Sequence, residues 1–169
     1  MASSGIQGQI IQEANSQGVP SSIALAVAQE ESGFNPNVIG SAGEVGVFQL
    51  LPSSFPGQAI SDLGTNISLG VGYLRSLYQQ FGDWATAIAA YNAGPGNVSK
   101  GIIPASTQSY VSKVLANAGS VDPGAGGPDY PMPDDSVDYS AVDSSPVSPL
   151  VIAPLVLGGV AIIAWLVWG

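Results

Sequence analysis

The chain contains no histidine and no cysteine. Imidazole general bases, thiolate nucleophiles, Ser-His-Asp triads and zinc sites of the usual Cys/His kind are excluded by that inventory. Neither a metal nor an organic cofactor is expected. Acid/base chemistry near neutral pH then falls to a carboxylate of shifted pKa, a tyrosine or a lysine. Glu31 is the sharpest candidate. With Ile23 and Val27 it falls at i, i+4 and i+8 of an expected helix, at its C-terminal end and just before a loop. A carboxylate on that apolar stripe is partly desolvated, and the helix C-terminus presents the negative end of the dipole. Both effects favour the protonated form, as a general acid requires. Glu30 is three residues from Val27 and competes for the same role. Periodicity separates the two weakly, and an ordinary surface glutamate is the bland reading of either.

Several elements must position such a group. Residues 4–16 predict a helix with Ile6, Ile10 and Ile11 on one side, stopped by Gly18. Pro20 opens the helix that runs to about Ser32, and Gly33, Asn35, Pro36 and Asn37 break it. Residues 38–47 read as Gly-rich and irregular, with a small β-hairpin as one option. Pro52 starts a short helix to about Gln58. A longer helix spans about 66–81, where Ile67, Val71, Leu74, Leu77 and Tyr78 recur at helical spacing, with Gly82 beyond its end. Asp83 is placed to cap a helix through about Tyr91, and Gly94-Pro95-Gly96 ends it. A last helix covers about Ser106–Asn117. The expectation is a mostly α domain of five or six helices over residues 1–118.

Four stretches in order now matter together: Glu31-Ser32-Gly33-Phe34-Asn35-Pro36, then Ser41 through Pro52 with Gly46-Val47-Phe48-Gln49, then Asn66-Ile67 with Gly70 and Tyr73-Leu74, then Ala89-Ala90-Tyr91-Asn92-Ala93-Gly94-Pro95-Gly96. Thr107 with Tyr110-Val111 is a weaker fifth. Over about residues 20–115 the chain resembles the lytic transglycosylase domain related to goose-type lysozyme. That resemblance implies a lysozyme-like helical fold and cleavage of the β-1,4 bond between N-acetylmuramic acid and N-acetylglucosamine in peptidoglycan glycan strands. It implies roles residue by residue. Glu31 protonates the leaving glycosidic oxygen and then acts as base. Ser32 and Gln49 line the site, with Gln49 bonding sugar or its N-acetyl group. Tyr91 and Asn92 place polar groups over the cleft, and Tyr110 flanks it. The bland readings are a helix-end serine, two core aromatics with polar tips and a turn asparagine. Val47 and Phe48 depart from the family's usual Leu and Met, and Glu44 stands where a small residue is common.

Most glycosidases need two carboxylates. Beyond Glu31 and its neighbour, residues 20–115 offer Glu44, Asp62 and Asp83, none in a matching family motif. A single acid/base suits the transglycosylase route, in which the sugar's own 6-hydroxyl attacks and leaves a 1,6-anhydro end. A lysozyme-type hydrolase is the close alternative, and a non-catalytic glycan-binding membrane protein is the alternative of another class.

The rest of the chain changes character. Residues 119–148 are rich in Gly, Pro, Ser and Asp, which predicts a flexible acidic linker with too little apolar surface to offset its ordering entropy. Residues 150–168 carry no charge and would make about 28 Å of helix, close to a ~30 Å hydrocarbon core. Trp165 and Trp168 lie where interfacial aromatics belong. Residues 149–169 are thus expected to be a single transmembrane helix that contacts a lipid bilayer. Three Lys/Arg against twelve Asp/Glu give a net charge of −9, and nucleic acid is excluded as a partner because no basic footprint exists. The N-terminus has neither the basic nor the apolar region of a secretory signal. A wall-cutting enzyme without that signal suits a phage particle with its own membrane, opening the wall for genome entry among other virion proteins. The wall-opening part of a secretion or conjugation apparatus is the other setting.

Overall fold

The computed structural model describes residues 5–120. Six α-helices follow in order among them: α1 (Ile6–Gln17), α2 (Ser21–Ser32), α3 (Leu63–Phe81), α4 (Trp84–Ala93), α5 (Pro95–Val98) and α6 (Ala105–Ser120). The stop signals act as their chemistry dictates. Gly18, Gly33 and Gly82 end α1, α2 and α3 in the left-handed conformation. Asp62 and Asp83 cap α3 and α4 by accepting the backbone N–H of Thr65 and Thr86.

Three expectations need correction. Pro52 starts only a 3-10 turn, Pro52–Ser54, because the following Phe55, Pro56 and Gly57 cannot continue it. Pro95 does not merely end α4 but opens the short α5 at its first position. No strand forms over residues 38–47. Isolated bridges join Ile39 to Val45 and Val45 to Leu50, so the loop is stitched rather than paired as a hairpin.

The helices bury one another according to pattern. In α2 every residue from Ile23 to Ala28 is buried, and in α4 so are Ala85 and the run Ala87–Ala90. Such all-round apolar helices belong at the centre of a domain. Helix α2 packs on α1 and α6, and α4 packs on α3, α5 and α6. Helix α3 is amphipathic instead and buries Ile67, Gly70, Val71, Leu74 and Leu77 on one side. Gly70 has a packing reason. A Cβ there would collide with Phe48, whose ring is fully buried against the bare helix backbone. The segment between α2 and α3 is therefore anchored in the core by its own Phe48.

Among the described residues no helix is long and apolar enough to cross a membrane. The expected linker and transmembrane segment lie outside the described residues, apart from Gly119 and Ser120, which complete α6.

Candidate active site

Glu31 occupies the last turn of α2. Gly33 (φ 60°) then turns the chain sharply, with its N–H on the Gln29 carbonyl at 3.0 Å and that of Phe34 on Ala28 at 3.4 Å. This end places Glu31 between α6 and the loop that carries Gln49.

That loop has little sheet pairing, so its backbone groups need partners from elsewhere. Three helices supply them. Ser32 of α2 donates its hydroxyl to the Val47 carbonyl at 2.9 Å and to Ala28 at 3.3 Å. Tyr91 of α4 donates to the Phe48 carbonyl at 2.7 Å. Asn66 of α3, buried, accepts from the Phe48 N–H and donates to the Val45 and Ile60 carbonyls, each at 2.9 Å. Gln49 sits at φ 45°, a left-handed conformation unusual for a residue with a side chain. Such a residue carries about 1–3 kcal/mol of strain and persists where its surroundings over-determine it. Its own amide helps: Nε2 donates to Val38 at 3.2 Å and to Gly46 at 2.8 Å. Two carbonyl acceptors fix the amide orientation and leave Oε1 as the end that can meet a ligand.

Glu31 itself is partly buried and accepts a 2.5 Å hydrogen bond from the Tyr110 hydroxyl of α6. Its pKa is raised to about 7, first by burial, which the Tyr110 bond opposes and the charges of Glu44 and Glu30 reinforce. Near neutrality the side chain therefore holds a transferable proton. Burial, and then the nearby Glu31 charge, push the Tyr91 and Tyr110 hydroxyls up, so both remain protonated donors. Glu30 is turned elsewhere, where it accepts from Asn117 Nδ2 at 2.9 Å. Of the two adjacent carboxylates, Glu31 is the one that a tyrosine hydroxyl grips.

The six residues singled out from sequence are thus not equivalent. Glu31, Tyr110 and Tyr91 come together. Ser32 and Tyr91 use their hydroxyls on the loop backbone. Asn92 is exposed and accepts from Thr107 Oγ1 at 2.8 Å, a brace between α4 and α6. Two contributors lay within the quoted motifs without being given a role, Asn66 and Tyr73, and a third, Glu44, was noted only as a departure from the family's small residue. Tyr73 packs its ring on Tyr91 at 5.3 Å between centroids, and Phe55 meets Tyr73 edge-on at 6.1 Å. The interposed Tyr73 sets the Tyr91 ring laterally. The signal for both Asn66 and Tyr73 was a polar group at a core-facing helix position.

The end of α2 thus carries a glutamate whose pKa burial raises to about 7, gripped by a tyrosine and faced by a cross-braced loop. The transglycosylase SLT domain family matches residues 8–110. The chain belongs to that family. It is 38% identical over 129 residues to the soluble lytic murein transglycosylase of Escherichia coli K12, a match covering 58% of this chain and 20% of that one. It is 33% identical over 98 residues to the transglycosylase of Enterobacteria phage PRD1, covering 56% and 36% respectively. An inactive glutamate-to-glutamine mutant of the lytic transglycosylase Slt from Pseudomonas aeruginosa superposes with a TM-score of 0.60 at 29% identity, over 65% of this chain and 22% of that one. The SLT domain described here has the mostly helical, lysozyme-like lytic transglycosylase fold. It spans a fifth to about a third of the length of these two relatives.

Proposed function

We propose that this SLT domain cleaves peptidoglycan glycan strands as a lytic transglycosylase, with Glu31 as its single acid/base. The observation that carries the reading is the Glu31 carboxyl, raised to about 7 by burial and gripped by Tyr110. In the first step the Glu31 proton passes to the glycosidic oxygen, and the bond from the anomeric carbon of N-acetylmuramic acid to that oxygen breaks. Positive charge develops on the sugar, and the newly formed Glu31 carboxylate lies beside it. In the second step the sugar's 6-hydroxyl oxygen bonds to the anomeric carbon and gives its proton to Glu31. No water is consumed: one C–O bond breaks and one forms, the strand is cut in two, and the new end is a 1,6-anhydro sugar. Gln49 accepts from the sugar through Oε1. Ser32 and Tyr91 hold the loop that presents it, Asn92 braces α4 against α6, and Tyr110 orients the acid.

The names of the relatives support this reading, and so does the inactivity of the Pseudomonas glutamate mutant. The phage relative supports a virion setting in which the enzyme opens the wall locally during genome entry. The uncharged run 150–168 is the ground for a single-pass anchor in the particle membrane. Mass spectrometry of digested peptidoglycan tests the chemistry. Muropeptides lighter by one water than hydrolysis products are expected, and reducing ends alone would reassign the enzyme as a lysozyme-type hydrolase. Co-purification with virions rather than with host membranes tests the setting.

A further inference from the structure

Glu44 stands on the loop between α2 and α3, in the stretch that faces Glu31. Its Oε2 accepts the backbone N–H of Ala42 at 2.9 Å, which holds the carboxylate in place within its own turn. Gly40 lies beneath it. A Cβ built on Gly40 would collide with Glu44 Oε2 and would fall 2.8 Å from Gln49 Oε1. The two side-chain oxygens therefore converge on the space that a side chain at position 40 would fill. Both are acceptors. Gln49 cannot turn its amide to offer a hydrogen there, because Nε2 is held by the carbonyls of Val38 and Gly46. Among the described residues the Ala42 N–H is the hydrogen-bond donor that meets Glu44, and none meets Gln49 Oε1. Two acceptor oxygens, one charged, set side by side with a single donor between them leave hydrogen-bonding capacity unused.

We propose that Glu44 is a substrate-positioning residue of this domain: with Gln49 Oε1 it forms a two-acceptor seat over Gly40 that takes the hydroxyl and amide N–H donors of a sugar unit in the glycan strand. The proposal rests on the reading of this cleft as the glycan-cleaving site. A carboxylate is the stronger acceptor for such donors, since a hydrogen bond to a charged group contributes more than a neutral one. Glu44 also sits close enough to Glu31 for its charge to favour the protonated acid. One side chain thereby serves both binding and proton retention, and the two effects separate experimentally.

The experiment uses the full chain in detergent and soluble glycan strands freed of their stem peptides, with peptide-bearing strands as the comparison. KM and kcat are measured well below pH 7, where Glu31 carries its proton in every variant, and activity is then followed up through neutral pH. Glu44→Ala should raise KM about tenfold, the loss of one charge-assisted hydrogen bond, with kcat within about twofold. Glu44→Gln keeps an acceptor oxygen and should recover part of that loss. Gly40→Ala should raise KM similarly, because the new methyl group pushes the two oxygens apart; an unchanged melting temperature identifies the effect as local. If Gly40→Ala fails to fold, the pair of Glu44 variants still decides. An unchanged KM for Glu44→Ala, with only the high-pH limb of activity moved down, would show that Glu44 acts through its charge alone and would overturn the seat. A KM change seen only on peptide-bearing strands would overturn it too, since the acceptors would then be reading a peptide ammonium. Absence of activity in the wild-type chain sinks the enzymatic reading itself, an outcome distinct from either.

Discussion

Tyr110 and Glu31 form the smallest unit whose removal has a calculable effect. Glu31 has a folded pKa of about 7 against an ordinary value of 4.5. A carboxyl with a raised folded pKa destabilises the fold where it is ionised, so stability falls as pH rises from about 4.5 to about 7 and stays lower above that. Glu31→Gln removes the penalty. It should melt at the same temperature as wild type below pH 4 (a rough lower bound) and be more stable above pH 7 by about 2 kcal/mol, allowing for the exposed part of the side chain. Calorimetry across that range, beside an assay showing loss of almost all wall-degrading activity, checks both halves. Equal melting temperatures at every pH would mean that the carboxyl is not desolvated. Tyr110→Phe deletes the one interaction that lowers the Glu31 pKa. The high-pH limb of activity should therefore move upward, while kcat drops about tenfold because the acid loses its orienting partner. A pH–rate profile reads both, and a limb that moves downward contradicts the assignment.

At the scale of elements, the Gln49 loop is held by helices rather than by a sheet. Asn66 satisfies three backbone groups at once from α3, and it is 1% exposed. Asn66→Ala leaves those groups buried without partners and should destabilise by about 3 kcal/mol or more. It should also relax Gln49 from its strained conformation, since Gln49 follows the Phe48 that Asn66 holds. Urea denaturation and a rise in KM are the measurements. Full activity in a destabilised variant would place the loop's rigidity outside catalysis. Helix α6 has the corresponding role on the other side of the site. Tyr110 meets Glu31 and Asn117 meets Glu30, so one helix holds both adjacent carboxylates and keeps them apart.

The whole chain divides on composition at about residue 120. Residues 5–120 bury a continuous apolar core from Ile10 in α1 to Ala118 in α6. A chain ending at Ser120 is therefore expected to fold, remain monomeric without detergent and retain activity on soluble strands. The full chain, with its uncharged stretch 150–168, is expected to need detergent. Gel filtration and the strand-cleavage assay on both lengths check this. A truncated chain that unfolds or aggregates would show the apolar tail to be part of the core.

Sequence by itself determined the chemistry available and most of the scaffold. With no His and no Cys, acid/base chemistry was left to a carboxylate of shifted pKa, a tyrosine or a lysine, and helix spacing pointed to Glu31 with Glu30 as its rival. Glycine stops, aspartate caps and apolar spacing located the main helices, because those signals act between residues a few positions apart. Tertiary structure decided what lies across the chain. Tyr110 is 79 positions from Glu31, and only the packing of α6 on α2 brings them to 2.5 Å. The same packing turns Glu30 to Asn117, which separates two neighbours that local spacing leaves equivalent. Ser32 and Tyr91 bond to loop carbonyls for a reason no local pattern encodes. An unpaired backbone group can be satisfied by any side chain the fold delivers, and a raised pKa depends on which atoms exclude water around the carboxyl.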